Sequence, residues 1–240
     1  MKASERHHLK QNEFAQTAAR VATTVTENRD RLVVYLVIAA VIVAAIGGFS
    51  YWRYRMAQQA GMALGDAMAI AQAPVVPAPT LPGATQAAGT YPTEQARAEA
   101  SLQAFQRVAS TFPGSQAGMA AEYHAAAALL TMGKAAEAET AFAVVAGKAG
   151  SALYAPMAKL GQAEAQIAQA KYDAAIALLN TLAADRDGIL PVDGVLMKLG
   201  QASAKAGKTD EAKAAYKRVV DEFPQSIFAS EARQQLTLLG

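Results

Sequence analysis

The sequence predicts an all-α protein: one N-terminal transmembrane helix followed by an α-solenoid of about four helix pairs. Three observations predict it. Ala dominates an apolar fraction of 52%, against only 7% aromatic residues, and Ala is the residue that costs least to place in a helix. Residues 32–52 run for 21 positions without a charge. The C-terminal half is self-similar with a period of 37 residues, and a fixed period of this size marks stacked helical units.

The charge balance and the absence of cysteine narrow the function classes. The 240 residues carry a formal net charge of +2, with Lys and Arg spread along the chain. That is a poor electrostatic footprint for nucleic acid. There is no Cys, which removes disulfides, thiolate catalysis and Cys-based zinc sites. Cytoplasm and periplasm both remain compatible with it.

The elements follow in chain order. Residues 1–31 read as a polar tail in which Phe14, Ala18, Val21 and Val25 fall on one face of a weak helix. A frayed, solvated tail fits these residues as well. Residues 32–52 read as the transmembrane helix. At about 1.5 Å per residue the run is about 31 Å long, matching a hydrocarbon core of about 30 Å. Arg29, Asp30 and Arg31 close one end, and Tyr51, Trp52, Arg53, Tyr54 and Arg55 close the other as interfacial aromatics followed by charge. A cleaved signal peptide fits worse. The apolar run is too long for one, and the small-residue site Ala71-Gln72-Ala73 lies too far downstream.

Orientation follows from basic residues. Lys2, Arg6, Lys10, Arg20, Arg29 and Arg31 precede the span, whereas only Arg53 and Arg55 follow it before Arg97. The positive-inside rule therefore puts the N-terminus in the cytoplasm and the C-terminal part in the periplasm, in a single-pass inner-membrane topology. Within the span Ala40, Ala44 and Gly48 recur every four residues, a stripe that lets transmembrane helices pack closely.

Residues 53–72 read as a juxtamembrane helix. Its Leu64-Gly65 pair suggests the first helix of repeat 1. Residues 73–92 form a Pro/Ala-rich linker with Pro74, Pro77, Pro79, Pro82 and Pro92, expected to be extended or disordered. Residues 93–240 form the repeat domain, closed by a capping helix from about residue 226 to 239.

Four columns step by 37 through that domain. The large residues are Phe105, Phe142, Leu179 and Tyr216, and four positions earlier stand Ser101, Ala138, Ala175 and Ala212. The small residue lets two helices approach, and the large one fills the space between them. Ala96, Gly133, Ala170 and Gly207 form the third column, and Pro113, Gly150, Asp187 and Pro224 the fourth. Gly133 and Gly207 suit a sharp stop between helices, because Gly carries no Cβ penalty there. Pro113 and Pro224 end helices, and Ser115 and Ser226 are placed to N-cap the next ones.

With Ala138-x3-Phe142, Ala212-x3-Tyr216, Pro224 and the Leu199-Gly200 pair, the sequence resembles the tetratricopeptide repeat family. It departs in its longer period, in a missing Trp, and in Leu179 where an aromatic is usual. The layout of short tail, one span and periplasmic repeats is similar to the YfgM-like ancillary subunits of the bacterial SecYEG translocon. That resemblance implies protein partners, including the Sec translocon and a membrane-anchored periplasmic prolyl isomerase, and a part in handling secreted or outer-membrane proteins. The Phe-Pro-x-Ser joints also resemble those of periplasmic repeat lipoproteins in envelope assembly, but no lipobox Cys is present.

No constellation for catalysis, cofactor or metal emerges. His7 and His8 have too few neighbouring ligands, and His124 reads as a packed or half-exposed residue. Ile46-Gly47-Gly48-Phe49 lies inside the span and is no phosphate loop. Asp210-Glu211 and Asp221-Glu222 suit helix starts and exposed faces. The expectation is a non-enzymatic scaffold without a small-molecule substrate, acting through a surface. The turn register places Tyr123, Leu130, Leu160, Glu164, Ile167, Met197, Gln201 and Lys205 along a partner-binding groove formed by the first helix of each pair. Homo-oligomers driven by Ala40, Ala44 and Gly48 are the structural alternative.

Overall fold

The computed structural model describes residues 29–79, 85–148 and 152–240. Among them it is all-α, with nine helices: α1 (Arg29–Ala71), α2 (Glu94–Thr111), α3 (Gln116–Thr131), α4 (Ala135–Gly147), α5 (Tyr154–Ala168), α6 (Tyr172–Ala184), α7 (Val192–Lys205), α8 (Thr209–Glu222) and α9 (Ala229–Leu238). The tail helix expected around Phe14 to Val25, and His7 and His8, lie outside the described residues.

Two compact units divide at Arg55 and Met56. The helix α1 is long and apolar enough to cross a membrane, with a mean hydropathy of 2.5 over its most apolar window and none of that window buried. Val34, Leu36, Ile42, Ile46 and Trp52 are each more than half exposed. Ala40, Ala44 and Gly48 are exposed too, and a Cβ on Gly48 would meet nothing within 4 Å.

The second unit stacks helix pairs: α3 with α4, α5 with α6, α7 with α8, and then α9. Ala67 of α1 is buried with Leu102 and Phe105 of α2 in the same core cluster as α3 and α4. The repeat columns explain the stacking. Phe105, Phe142, Leu179 and Tyr216 are all exposed by 2% or less. Their small partners Ser101, Ala138, Ala175 and Ala212 are buried as well. Each pair thus closes around one large side chain seated against one small one, which is how cores reach close packing with few large residues.

Close approach also decides two glycines. A Cβ on Gly161 would stand 2.5 Å from the Phe142 ring, and one on Gly200 would stand 2.5 Å from the Tyr216 ring. Gly200 therefore accounts for the Leu199-Gly200 pair. Gly65 of the Leu64-Gly65 pair faces open space instead, so that pair provides no such close contact.

The turns between paired helices repeat to the atom. The N–H groups of Lys134, Lys171 and Lys208 donate to the carbonyls of Leu129, Gln166 and Ser203, each at 2.9 Å. These are the long bonds of a left-handed helix stop. Gly133 (φ 76°) and Gly207 (φ 75°) supply the left-handed residue in the first and last of these turns, and Ala170 (φ 58°) takes the same conformation in the middle one. For an L-residue that conformation costs about 1–2 kcal/mol. Ala170→Gly is therefore expected to stabilise the fold by about 1 kcal/mol, raising the denaturant midpoint with an unchanged slope in a chemical unfolding curve. The lysines after these turns reach back to the preceding unit: Lys171 Nζ lies 2.8 Å from Glu139, and Lys208 Nζ lies 2.8 Å from Asp173. Ala96, the first member of the turn column, sits inside α2 and makes no turn.

Ends are more varied. Ser115 caps α3 by accepting from the Gly118 N–H at 2.9 Å. Ser226 does not cap α9 in that way. Its hydroxyl accepts from the Phe228 N–H at 3.0 Å and donates to Asp193 at 2.5 Å. An extra turn precedes Ala229, so Ser226 joins the final helix to α7 instead. The Pro-rich insert also differs from an extended linker at its ends. The Val76 N–H donates to the Tyr91 carbonyl at 2.9 Å, the Tyr91 N–H to the Pro74 carbonyl at 3.0 Å, and Arg97 to the Ala73 carbonyl at 3.1 Å. These bonds hold entry and exit side by side.

Candidate partner-binding groove

The first helices α3, α5 and α7 present side chains in register because the repeat places Tyr123, Leu160 and Met197 at equivalent positions. On α5, Leu160, Glu164 and Ile167 share a face at the i, i+4, i+7 spacing of a helix. Where α3 and α5 meet, Tyr123, Leu130, Leu160 and Glu164 line one cavity of about 260 Å³. Four of the eight residues expected in the groove are thus brought together.

The other four stand apart from it. Ile167 packs partly buried on the core of the last two pairs. Gln201 and Lys205 are exposed on α7. Met197 is only 3% exposed and belongs to the core cluster that includes Ala232 of α9. A side chain so covered offers a partner nothing, and Met197 is withdrawn from the groove. The sequence reading also missed contributors to the cavity: Phe142, Met157, Gly161 and Leu190. The close approach of Gly161 to Phe142 is what lets that ring form part of the wall.

Aromatic rings run beside the cavity. Tyr123 lies 5.7 Å from Phe142, 5.8 Å from Tyr154 and 5.3 Å from His124, measured between ring centroids. His124 stacks on Phe105 at 5.2 Å. Burial lowers the His124 pKa, so the ring sits there neutral. Burial, followed by the charge on Glu164 and the neighbouring Tyr154, raises that of Tyr123, so its hydroxyl remains a protonated donor. Glu164 pairs with Lys198 of α7 at 2.6 Å. Among the described residues no group of three or more His, Cys, Asp or Glu stands close enough to hold a metal ion.

A polar joint fixes α5 and α6 against α4. Glu139 accepts from Lys171 at 2.8 Å, from Gln166 at 3.0 Å and from Gln169 at 2.8 Å. These bonds, the one from Lys171 foremost, hold its pKa at about 2 instead of 4.5. The carboxylate stays ionised in the folded chain where the unfolded chain would protonate it. Its contribution to stability is then complete above about pH 4.5 and is lost as pH falls toward 2. Glu139→Gln is expected to lower the melting temperature at pH 7 and to make its fall between pH 4.5 and 2 shallower than in the wild type.

Comparison with known proteins agrees with this architecture. No curated protein matches the chain. The crystal structure of kinesin light chain tetratricopeptide-like repeats from Podosopora anserina matches with a TM-score of 0.51 at 15% identity, covering 60% of this chain and 77% of that one. At that identity the likeness is one of fold. The sequence profile of the tetratricopeptide repeat-like domain matches residues 25–238, nearly the whole chain, and the protein belongs to the tetratricopeptide repeat-like domain family.

Proposed function

We propose that this protein is a membrane-anchored scaffold of the bacterial periplasm that binds other proteins through the groove between α3 and α5. One observation carries the reading: Tyr123, Leu130, Leu160 and Glu164, from two successive repeats, converge on an open, largely apolar cavity. Such a surface receives a helix or extended segment through apolar anchors with a few polar contacts. In this reading residues 32–52 span the inner membrane, residues 1–31 lie in the cytoplasm, and residues 93–240 work on the far side. The layout shared with the YfgM-like ancillary subunits supports a place beside the Sec translocon and a membrane-anchored prolyl isomerase, assisting secreted or outer-membrane proteins.

The chain has no Cys, so one introduced thiol reports topology cleanly. Gln234→Cys, on an exposed stretch of α9, is expected to react with a membrane-impermeant maleimide once the outer membrane is opened. Labelling only after the inner membrane is breached would reverse the orientation. Purification of the tagged full-length protein in mild detergent should then recover translocon subunits and the prolyl isomerase, absent from a span-only control. Recovery of envelope-assembly proteins instead would move the protein to that process.

A further inference from the structure

The groove has a chemical bias that its apolar walls conceal. Among the described residues its titratable lining groups are Glu164 and Tyr123, and no Lys, Arg or His lines it. An anionic ligand group would meet the Glu164 carboxylate on the wall, whose cation, Lys198 at 2.6 Å, stands outside the lining. A wholly apolar segment is penalised differently. By covering the cavity it would strip water from the Glu164–Lys198 pair without supplying a further donor, and taking charges out of water is costly unless they gain partners.

We propose that the segment bound in this groove carries a basic side chain, Lys or Arg, flanked by apolar residues, and that this cation docks between the Glu164 carboxylate and the Tyr123 ring. The inference rests on the groove reading above and names the chemistry of its partner. Lys198 holds Glu164 at 2.6 Å in the free protein, but both side chains are more than a third exposed. Exposed pairs of this kind contribute little, so a ligand ammonium displaces Lys198 at little cost. Three rings within 6 Å of Tyr123, those of Phe142, Tyr154 and His124, hold it in place beside the cavity, and an aromatic face attracts a cation that has left water. The apolar flanks meet Leu130, Met157, Leu160 and Leu190.

The test uses the full-length protein in detergent and a fluorescent Ala/Leu host peptide with one guest position occupied by Lys, norleucine or Glu. The Lys guest is expected to bind about three- to tenfold more tightly than norleucine, and Glu more weakly than both. Glu164→Gln should erase the Lys preference, so that the Lys and norleucine guests bind alike. Lys198→Met, which frees Glu164 from its competitor, should strengthen the preference. Circular dichroism on each variant checks that the fold is kept. Equal binding of Lys and norleucine, with both lost in Leu160→Asp, would overturn this inference and leave the groove intact. Tighter binding of Glu would overturn it in favour of an anionic segment docked on Lys198. Failure of every peptide to bind would overturn both the inference and the groove.

Discussion

Phe142→Ala is expected to destabilise the repeat domain by about 3–5 kcal/mol, the usual cost of emptying a buried aromatic site. Phe142 is 2% exposed. Its ring lies where a Cβ on Gly161 would collide, so α4 and the following unit close on the same side chain. Ala138, Ala158 and Ala165 of the same core cluster are too short to fill the hole. The ring also lines the cavity between α3 and α5, so the variant should lose partner binding under conditions in which it still folds. Chemical unfolding monitored by circular dichroism gives the stability change. A loss below about 1 kcal/mol would mean that the repeat interface does not depend on its large residue.

The second large effect concerns overfilling. Gly200→Val is expected to cost at least about 1–3 kcal/mol, because the added branches would enter the space held by the Tyr216 ring. That ring, carried by α8, is 1% exposed and seated against Gly200 of α7. Gly65→Val serves as the control, since Gly65 faces open space. It should be neutral or slightly stabilising, since Val is a somewhat better helix former than Gly. Equal effects of the two substitutions would contradict the packing described for the last pair.

The contrast between these glycines shows what a sequence of this kind makes legible. The positions of the large and small columns could be read because every pair needs one bulky side chain against one small one, and that need repeats with the unit. Phe105, Phe142, Leu179 and Tyr216 are buried as the period requires. Ala170 follows the period against its own preference. The backbone bonds of the turn, Lys171 N–H to Gln166 and Ala170 N–H to Ile167, offset the strain, so register predicted its geometry better than residue type. Where neighbours differ, register misleads. Met197 is equivalent to Leu160, yet it is shut into a core shared with α9, and a terminal unit has a different neighbour from an internal one. Gly161 had no partner column to reveal it, since its close contact lies between units. The closure of the Pro-rich insert rests on backbone bonds between Pro74, Val76 and Tyr91. Composition carries no trace of pairings at that distance.

The most direct test of the groove is a photo-crosslinking residue at position 160 of the full-length protein in its native membrane, compared with the same residue at the exposed position 217 on α8. Specific adducts from position 160 and none from position 217, lost when Leu130→Asp spoils the cavity wall, are the predicted result. Adducts of equal yield from both positions, or from position 217 alone, would contradict the assignment of partner binding to the groove between α3 and α5.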